Sequence, residues 1–369
     1  MKSINVLHVL NEIQPSGAEM MLLTALPTFR ALGVNLTLLA TGKNRGTIAH
    51  RFESLGVEVL HLPFSFTPRY FFDVWKLFRQ PRWDAIHLHS ERATFYFGLA
   101  ACAARKPTVR TVHNVFRFDG FLKWRRSSQR RALEWLGVRH VAIGTSVLEN
   151  EQQRFRIHPV LISNWFDDKR FRPASAGERE NARSSFGIAG EDRFVVVSVG
   201  NCSDTKNHKS LLRALALLEP ERRPLYLHAG IEDADRSERA LVAELGLGAD
   251  VVFLGPISDV PTLLHAADAF VMPSLFEGMS IAALEAVGSG VPCILSDVRG
   301  LCDLRAWFPG VIYCQTDAPS IAQALTKAMS LSPAARADLV AGQAAQASER
   351  FGIDQGASGY SRLYWNARS

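Results

Sequence analysis

The chain has 369 residues, 47% of them hydrophobic and 21% charged, with a net charge of +6. That length exceeds what one hydrophobic core ordinarily supports, and the composition excludes extended disorder, so two packed domains are expected. Five scattered cysteines without a C-x-x-C pair argue against a disulfide framework or a zinc motif and fit a reducing cytoplasm.

The opening MKSINVLHVLNE holds no signal-peptide core. The longest apolar run, residues 93 to 104, is far short of the roughly 20 residues that span a bilayer. Residues 1 to 165 carry 22 basic against 11 acidic side chains, a net +11, while the remainder carries 20 against 25, a net −5. Such asymmetry assigns an anionic surface or ligand to the first half.

In chain order, INVLHVL (4 to 10) reads as a strand, QPSG as a loop, and a helix begins near Ala18 with Met20, Met21, Leu23 and Leu26 at helical spacing. Strand-like runs follow at 34 to 40, 57 to 62, 85 to 90, 108 to 114 and 140 to 145. After the charged, turn-rich stretch NWFDDKRFRPASAGERE the alternation restarts at 194 to 200, 225 to 230, 251 to 255, 269 to 273 and 291 to 297. Apolar strands alternating with helices indicate parallel sheets covered on both faces. The expected architecture is α/β, with two Rossmann-like doubly wound domains over 1–165 and 170–352 facing one another across a cleft. A last helix, about 355–369, returns to the first domain to bury Tyr360, Tyr364 and Trp365.

The stretch LFEGMSIAALEAVGSGVP (275 to 292) carries the chemistry. Ser280 is a good N-cap, IAALEAV a short helix, and Gly288, Gly290 and Pro292 end it. Backbone N–H groups at the start of that helix, beside Gly278, Met279 and Ser280, suit an anion such as a diphosphate. Glu277 and Glu285 then address different parts of one hydroxyl-rich ligand. Asp233 and Asp235 form a D-x-D, here read as charge at a helix start rather than a metal site. No G-x-G-x-x-G, phosphate-binding Walker loop, H-E-x-x-H or G-x-S-x-G is present.

EGMSIAALEA resembles the E-x7-E motif of glycosyltransferase family 4, the retaining GT-B "glycosyl transferases group 1". PSGAE (15 to 19), TVHN (111 to 114), IGTSVLE (143 to 149), VGNCSDTKNHKSLLRAL (199 to 215) and VPCILSDVRGLCDL (291 to 304) resemble the family's other segments in the same order. The resemblance implies that Glu285 binds the nucleotide's ribose, Glu277 the donor sugar, and Lys206 and Gly17 the diphosphate. His113 would contact the transferred sugar. Transfer would retain configuration without a metal or other cofactor. Asn201 stands where the family often carries arginine, and Arg299 is the candidate substitute.

His87 and His89 alternate along a strand and are expected on opposite faces, with His89 nearer the acceptor. Residues 105 to 139 hold ten basic and two acidic side chains. Within them Lys123, Arg126 and Arg130 share a helical face beside aromatics, which suits an anionic membrane surface. The expected protein is a cytoplasmic, peripheral glycosyltransferase that uses a nucleotide-sugar donor and a lipid-linked or cell-surface glycan acceptor, with no nucleic-acid partner. A nucleotide-sugar epimerase or hydrolase, and a non-catalytic subunit of a glycan-synthesis complex, are the alternatives.

Overall fold

The structure is a computed structural model that describes residues 3–368 apart from Arg92 and Glu191, with Arg368 described in its backbone only. The chain divides into two units, Met1–Trp165 with Ile353–Ser369, and Phe166–Gly352.

The first unit holds seven parallel strands: β1 (Ile4–Leu10), β2 (Val34–Ala40), β3 (Val59–His61), β4 (Ala85–Leu88), β5 (Thr108–Val112), β6 (Arg139–Ala142) and β7 (Val160–Leu161). Their order is β3-β2-β1-β4-β5-β6-β7. The strands are apolar along most of their length because helices cover both faces of the sheet. On one face, Leu7, Val9, Ile86 and Leu88 pack with Tyr70, Val74, Phe78 and Phe97. The final helix, Ile353–Arg368, packs against the helix Gly17–Ala31. It fits closely because a Cβ at Gly356 would lie 2.0 Å from the Trp165 ring. Tyr360 and Tyr364 on this helix are buried.

The second unit holds β8 (Val195–Val199), β9 (Leu225–Ala229), β10 (Val251–Gly255), β11 (Ala269–Met272), β12 (Cys293–Ser296) and β13 (Ile312–Cys314). All are parallel, in the order β10-β9-β8-β11-β12-β13. Val196, Val271 and Ile294 pack beneath Leu211, Leu215, Ile321 and Leu325 of the covering helices.

In each sheet the strand order reverses once, between β1 and β4 and between β8 and β11. At such a switch the loops leaving the carboxyl ends of neighbouring strands diverge and leave a ligand crevice. His89, His113, Lys206 and Glu277 all lie just beyond strand carboxyl ends.

Candidate active site

In the second unit, the turn after β8 and the loop after β11 are tied together. Asn207, at φ 57°, takes a left-handed conformation that a short polar side chain tolerates. Its Nδ2 donates to the carbonyls of Pro273 (3.0 Å) and Thr316 (2.9 Å). The Leu275 N–H donates to the Thr205 carbonyl at 2.8 Å. These bonds set Lys206 opposite Glu277, and Lys206 Nζ donates to Glu277 Oε1 at 2.7 Å. The Ser274 hydroxyl donates to the same oxygen at 2.7 Å.

Glu277 is also held from behind. Its N–H donates to the Arg299 carbonyl at 3.2 Å. Gly300, at φ +86°, lies so close that a Cβ would meet the Glu277 carbonyl oxygen at 2.4 Å; only glycine permits this approach. Arg299 is exposed on that loop. Gly278, Met279 and Ser280 are buried at the start of the helix Ile281–Gly288, where Ser280 Oγ accepts from the Ala283 N–H at 3.3 Å. Glu285 lies within this helix, and burial raises its carboxyl to about 8, opposed by Arg170 and reinforced by Asp167.

Asn201, at the place where the family often carries arginine, has a structural bond: its Oδ1 accepts from the Ile231 N–H at 2.9 Å. Asp235 accepts from the Ser237 N–H at 3.1 Å, a helix-start role.

In the first unit, Gly17 is exposed and begins the helix that follows β1. Ala18, the next residue, lines a small cavity with His87, His89 and His113, part of a row of imidazoles. His8 Nδ1 and His89 Nε2 share a hydrogen bond of 3.0 Å, and His89 Nδ1 and His113 Nε2 share another of 3.0 Å. His87 Nδ1 meets the Tyr364 hydroxyl at 2.6 Å and its Nε2 meets Thr111 Oγ1 at 2.8 Å. Burial lowers His8 to about 3 and His113 to about 4, and holds His87 and His89 well below 6.5. The row is neutral at pH 7, so His113 is a hydrogen-bonding group without charge.

Two expectations are corrected. His87 and His89 do not separate to opposite faces, since their ring centroids are 4.0 Å apart. β4 ends at Leu88, so the strand pleat no longer governs His89. The basic face of the helix Gly120–Trp135 is not a solvent face either. Arg130 is buried, with ion pairs to Glu91 (3.0 Å) and Glu151 (2.8 Å). Arg126 and Lys123 are half-buried, with the Arg126 guanidinium 5.6 Å from the Phe118 ring centroid. The face turned outward carries Phe121, Trp124 and Trp135, which are 73%, 64% and 86% exposed, together with Arg125 and Arg131.

Sequence reasoning did not single out His8, Ser274 or Asn207. His8 faces His87 only through the β1–β4 register, which no local spacing reveals. A polar residue inside an apolar strand is the one signal it gave.

Both halves of the chain match models of known protein families. A model described as "Glycosyltransferase Family 4" matches residues 15–170, and one described as "Glycosyl transferases group 1" matches residues 178–345. A UDP-Gal:alpha-D-GlcNAc-diphosphoundecaprenol alpha-1,3-galactosyltransferase of Escherichia coli is 28% identical over 69% of this chain and 68% of its own. EpsF of Bacillus subtilis, named as a glycosyltransferase, is 30% identical over 79% of both chains. Among solved structures, HepE of Anabaena in complex with UDP and glucose superposes with a TM-score of 0.83 at 19% identity, covering 98% of this chain and 100% of its own. Each unit carries the parallel α/β sheet of the GT-B fold, and the chain belongs to the family 4, group 1 glycosyltransferases.

Proposed function

We propose that this glycosyltransferase moves a sugar from a uridine diphosphate donor to a lipid-linked acceptor of a growing cell-surface glycan, with retention of configuration and without a metal at the diphosphate. The observation that carries the reading is the pairing of Lys206 with Glu277 where the strand order reverses between β8 and β11. There a fixed cation and a carboxylate share one crevice, as a ligand with an anionic centre and a neutral sugar requires. The donors named with the relatives, UDP-Gal for the Escherichia coli enzyme and UDP for HepE, support uridine as the base. The diphosphoundecaprenol acceptor in the former's name supports a lipid carrier.

Departure of UDP builds negative charge on the distal phosphate. Lys206 and the helix-start amides beyond Ser280 stabilise that charge as it develops, which lowers the barrier because they are already in position. Glu277 holds sugar hydroxyls and Glu285 the ribose. His113, neutral, orients the transferred sugar. With no protein carboxylate needed as a nucleophile, the acceptor hydroxyl attacks on the face from which UDP leaves and gives its proton to the departing phosphate oxygen.

The outward aromatics and arginines of the helix Gly120–Trp135 support a place at the cytoplasmic face of an anionic membrane. Aromatic rings settle at the headgroup level while the guanidiniums meet lipid phosphates. Among the described residues no helix is long and apolar enough to cross a membrane.

A thermal-shift panel of UDP, GDP, ADP and TDP tests the donor, with no divalent cation added. A ligand at 100 times its dissociation constant stabilises by about 2.7 kcal/mol, several degrees of melting temperature. UDP alone is expected to shift the protein, and Lys206→Ala to shrink that shift by half or more. Equal shifts by all four, or none at millimolar concentration, would overturn the assignment.

A further inference from the structure

We propose that Cys202, His208, His228 and Glu238 form a zinc-binding site in the second unit, braced behind the turn that carries Lys206. Cys202 follows β8, His208 opens the helix His208–Ala216, His228 lies on β9, and Glu238 is in the first turn of the helix Ser237–Glu244. All four are buried, 4%, 4%, 0% and 2% exposed. The candidate ligand atoms of Cys202, His208 and His228 lie within 4.8 Å of one another. Cys202 Sγ is 3.4 Å from His228 Nε2, and His208 Nδ1 is 3.9 Å from Glu238 Oε1.

One polar atom in each of two of these side chains lacks a partner, while the Glu238 carboxyl also shares a hydrogen bond with the Cys202 thiol. His208 Nδ1 and Glu238 Oε2 are buried without a hydrogen bond, a costly arrangement in an interior where polar atoms are otherwise paired. A cation among them removes the cost. His228 is already oriented for it: Nδ1 lies 3.1 Å from Ser198 Oγ and 3.2 Å from the Tyr226 hydroxyl. The bonds at Nδ1 orient the ring and turn Nε2 toward Cys202 Sγ, the position from which it would ligate.

The donor set selects the metal. One sulfur, two imidazoles and a carboxylate match tetrahedral zinc, and the thiolate and carboxylate together balance its two charges in a dry interior. With Zn–S near 2.3 Å and Zn–N near 2.0 Å, tetrahedral ligands sit about 3.3–3.6 Å apart, a spacing the Cys202–His228 pair already has. Zinc binding releases the thiol and carboxyl protons to solvent as the metal bonds form.

The histidine row of the first unit is a poorer metal site. His87 has both ring nitrogens engaged by Tyr364 and Thr111, and the set His8, His87 and His89 includes no anionic ligand. The zinc ligands escape sequence inspection because they arrive from four elements with no paired-cysteine spacing.

The test uses the full chain, stripped by chelator, refilled with zinc and desalted, with a parallel sample refilled with cobalt. Metal analysis is expected to find one zinc per chain. Cobalt is expected to give intense tetrahedral d–d bands and a thiolate-to-cobalt charge-transfer band. Cys202→Ser should abolish the charge-transfer band and weaken zinc binding by at least about 100-fold, while Cys102→Ser, in the other unit, keeps both. Zinc at background level, a cobalt spectrum without the thiolate band, or a band that survives Cys202→Ser would overturn the proposal. Should Cys202→Ser fail to fold, the stoichiometry and cobalt spectrum of the unaltered chain decide it.

Discussion

Lys206 Nζ and Glu277 Oε1, separated by 2.7 Å, lie 71 residues apart in the chain and tie together the loops that follow β8 and β11. The pair is partly withdrawn from water, the side chains being 26% and 15% exposed, so its charges are held in place rather than sampled by mobile surface groups. In the proposed reaction they part company: the lysine goes to the diphosphate and the carboxylate to the sugar.

The two variants should therefore behave differently. Lys206→Ala loses a charge-assisted contact of about 1.5–3 kcal/mol and weakens UDP binding by roughly 10- to 150-fold. Glu277→Gln touches no group that UDP possesses and releases Lys206 from its partner. It should leave UDP binding intact or tighter while lowering kcat/KM by about 100-fold or more. Calorimetry with UDP and steady-state kinetics check the split, and equal losses of UDP affinity in both variants would argue against it.

Glu285 should make donor binding depend on pH. Its carboxyl, raised to about 8 by burial, must ionise to accept two ribose hydroxyls. UDP affinity should rise from pH 6.5 to 8.5, and Glu285→Gln should flatten the profile. A wild-type profile without slope would contradict the ribose role.

Histidine burial should appear in stability. His8 and His113, lowered to about 3 and 4 by burial, stay neutral in the folded chain where their unfolded counterparts take protons below about 6.5. Folded values below unfolded ones mean stability that is complete above about pH 6.5 and is lost as pH falls toward 4. Each such group contributes at most about 1.4 kcal/mol per pH unit. Glu285 runs the other way, because its raised value makes the folded state bind the extra proton between about 4.5 and 8. The urea midpoint should thus fall from pH 6.5 to 5, and more steeply in Glu285→Gln; a flat or rising midpoint would refute this.

Arg110, Arg130, Glu91 and Glu151 form a buried network beneath the helix Gly120–Trp135. Arg110 contacts Glu91 at 2.6 Å and Glu151 at 3.6 Å, and Arg130 contacts both carboxylates. Glu151→Ala leaves two buried guanidiniums short of a counter-charge and should cost about 3–5 kcal/mol, read as a fall in the denaturation midpoint. The outward face of the same helix is separate: Phe121→Ala with Trp124→Ala and Arg125→Ala should leave stability nearly unchanged and abolish sedimentation with anionic liposomes. Equal sedimentation of the triple variant would place membrane contact elsewhere.

How much was legible in the sequence follows from what is local. The strands at 34 to 40 and 251 to 255 match their observed bounds because each is a mostly apolar run flanked by turn residues, even where Asn35 and the edge-strand Val252 face solvent. β7, two exposed residues, and β13, three residues long, carry too little pattern to register. The helix after Glu277 was readable from Ser280, since capping is a one-residue signal. The face of the basic helix was not, because Arg130 turns inward to carboxylates at Glu91 and Glu151, which only the tertiary fold brings near. The same holds for His8 beside His89 and for Asn207 pinning the Lys206 turn.

The measurement closest to the central claim is the mass of a polyprenyl diphosphate-linked sugar acceptor after incubation with a UDP-sugar and the enzyme. One added sugar is expected, with UDP released only when acceptor is present and no product with Glu277→Gln. Release or epimerisation of the donor sugar without acceptor, or an acceptor left unchanged by every UDP-sugar, would contradict that claim.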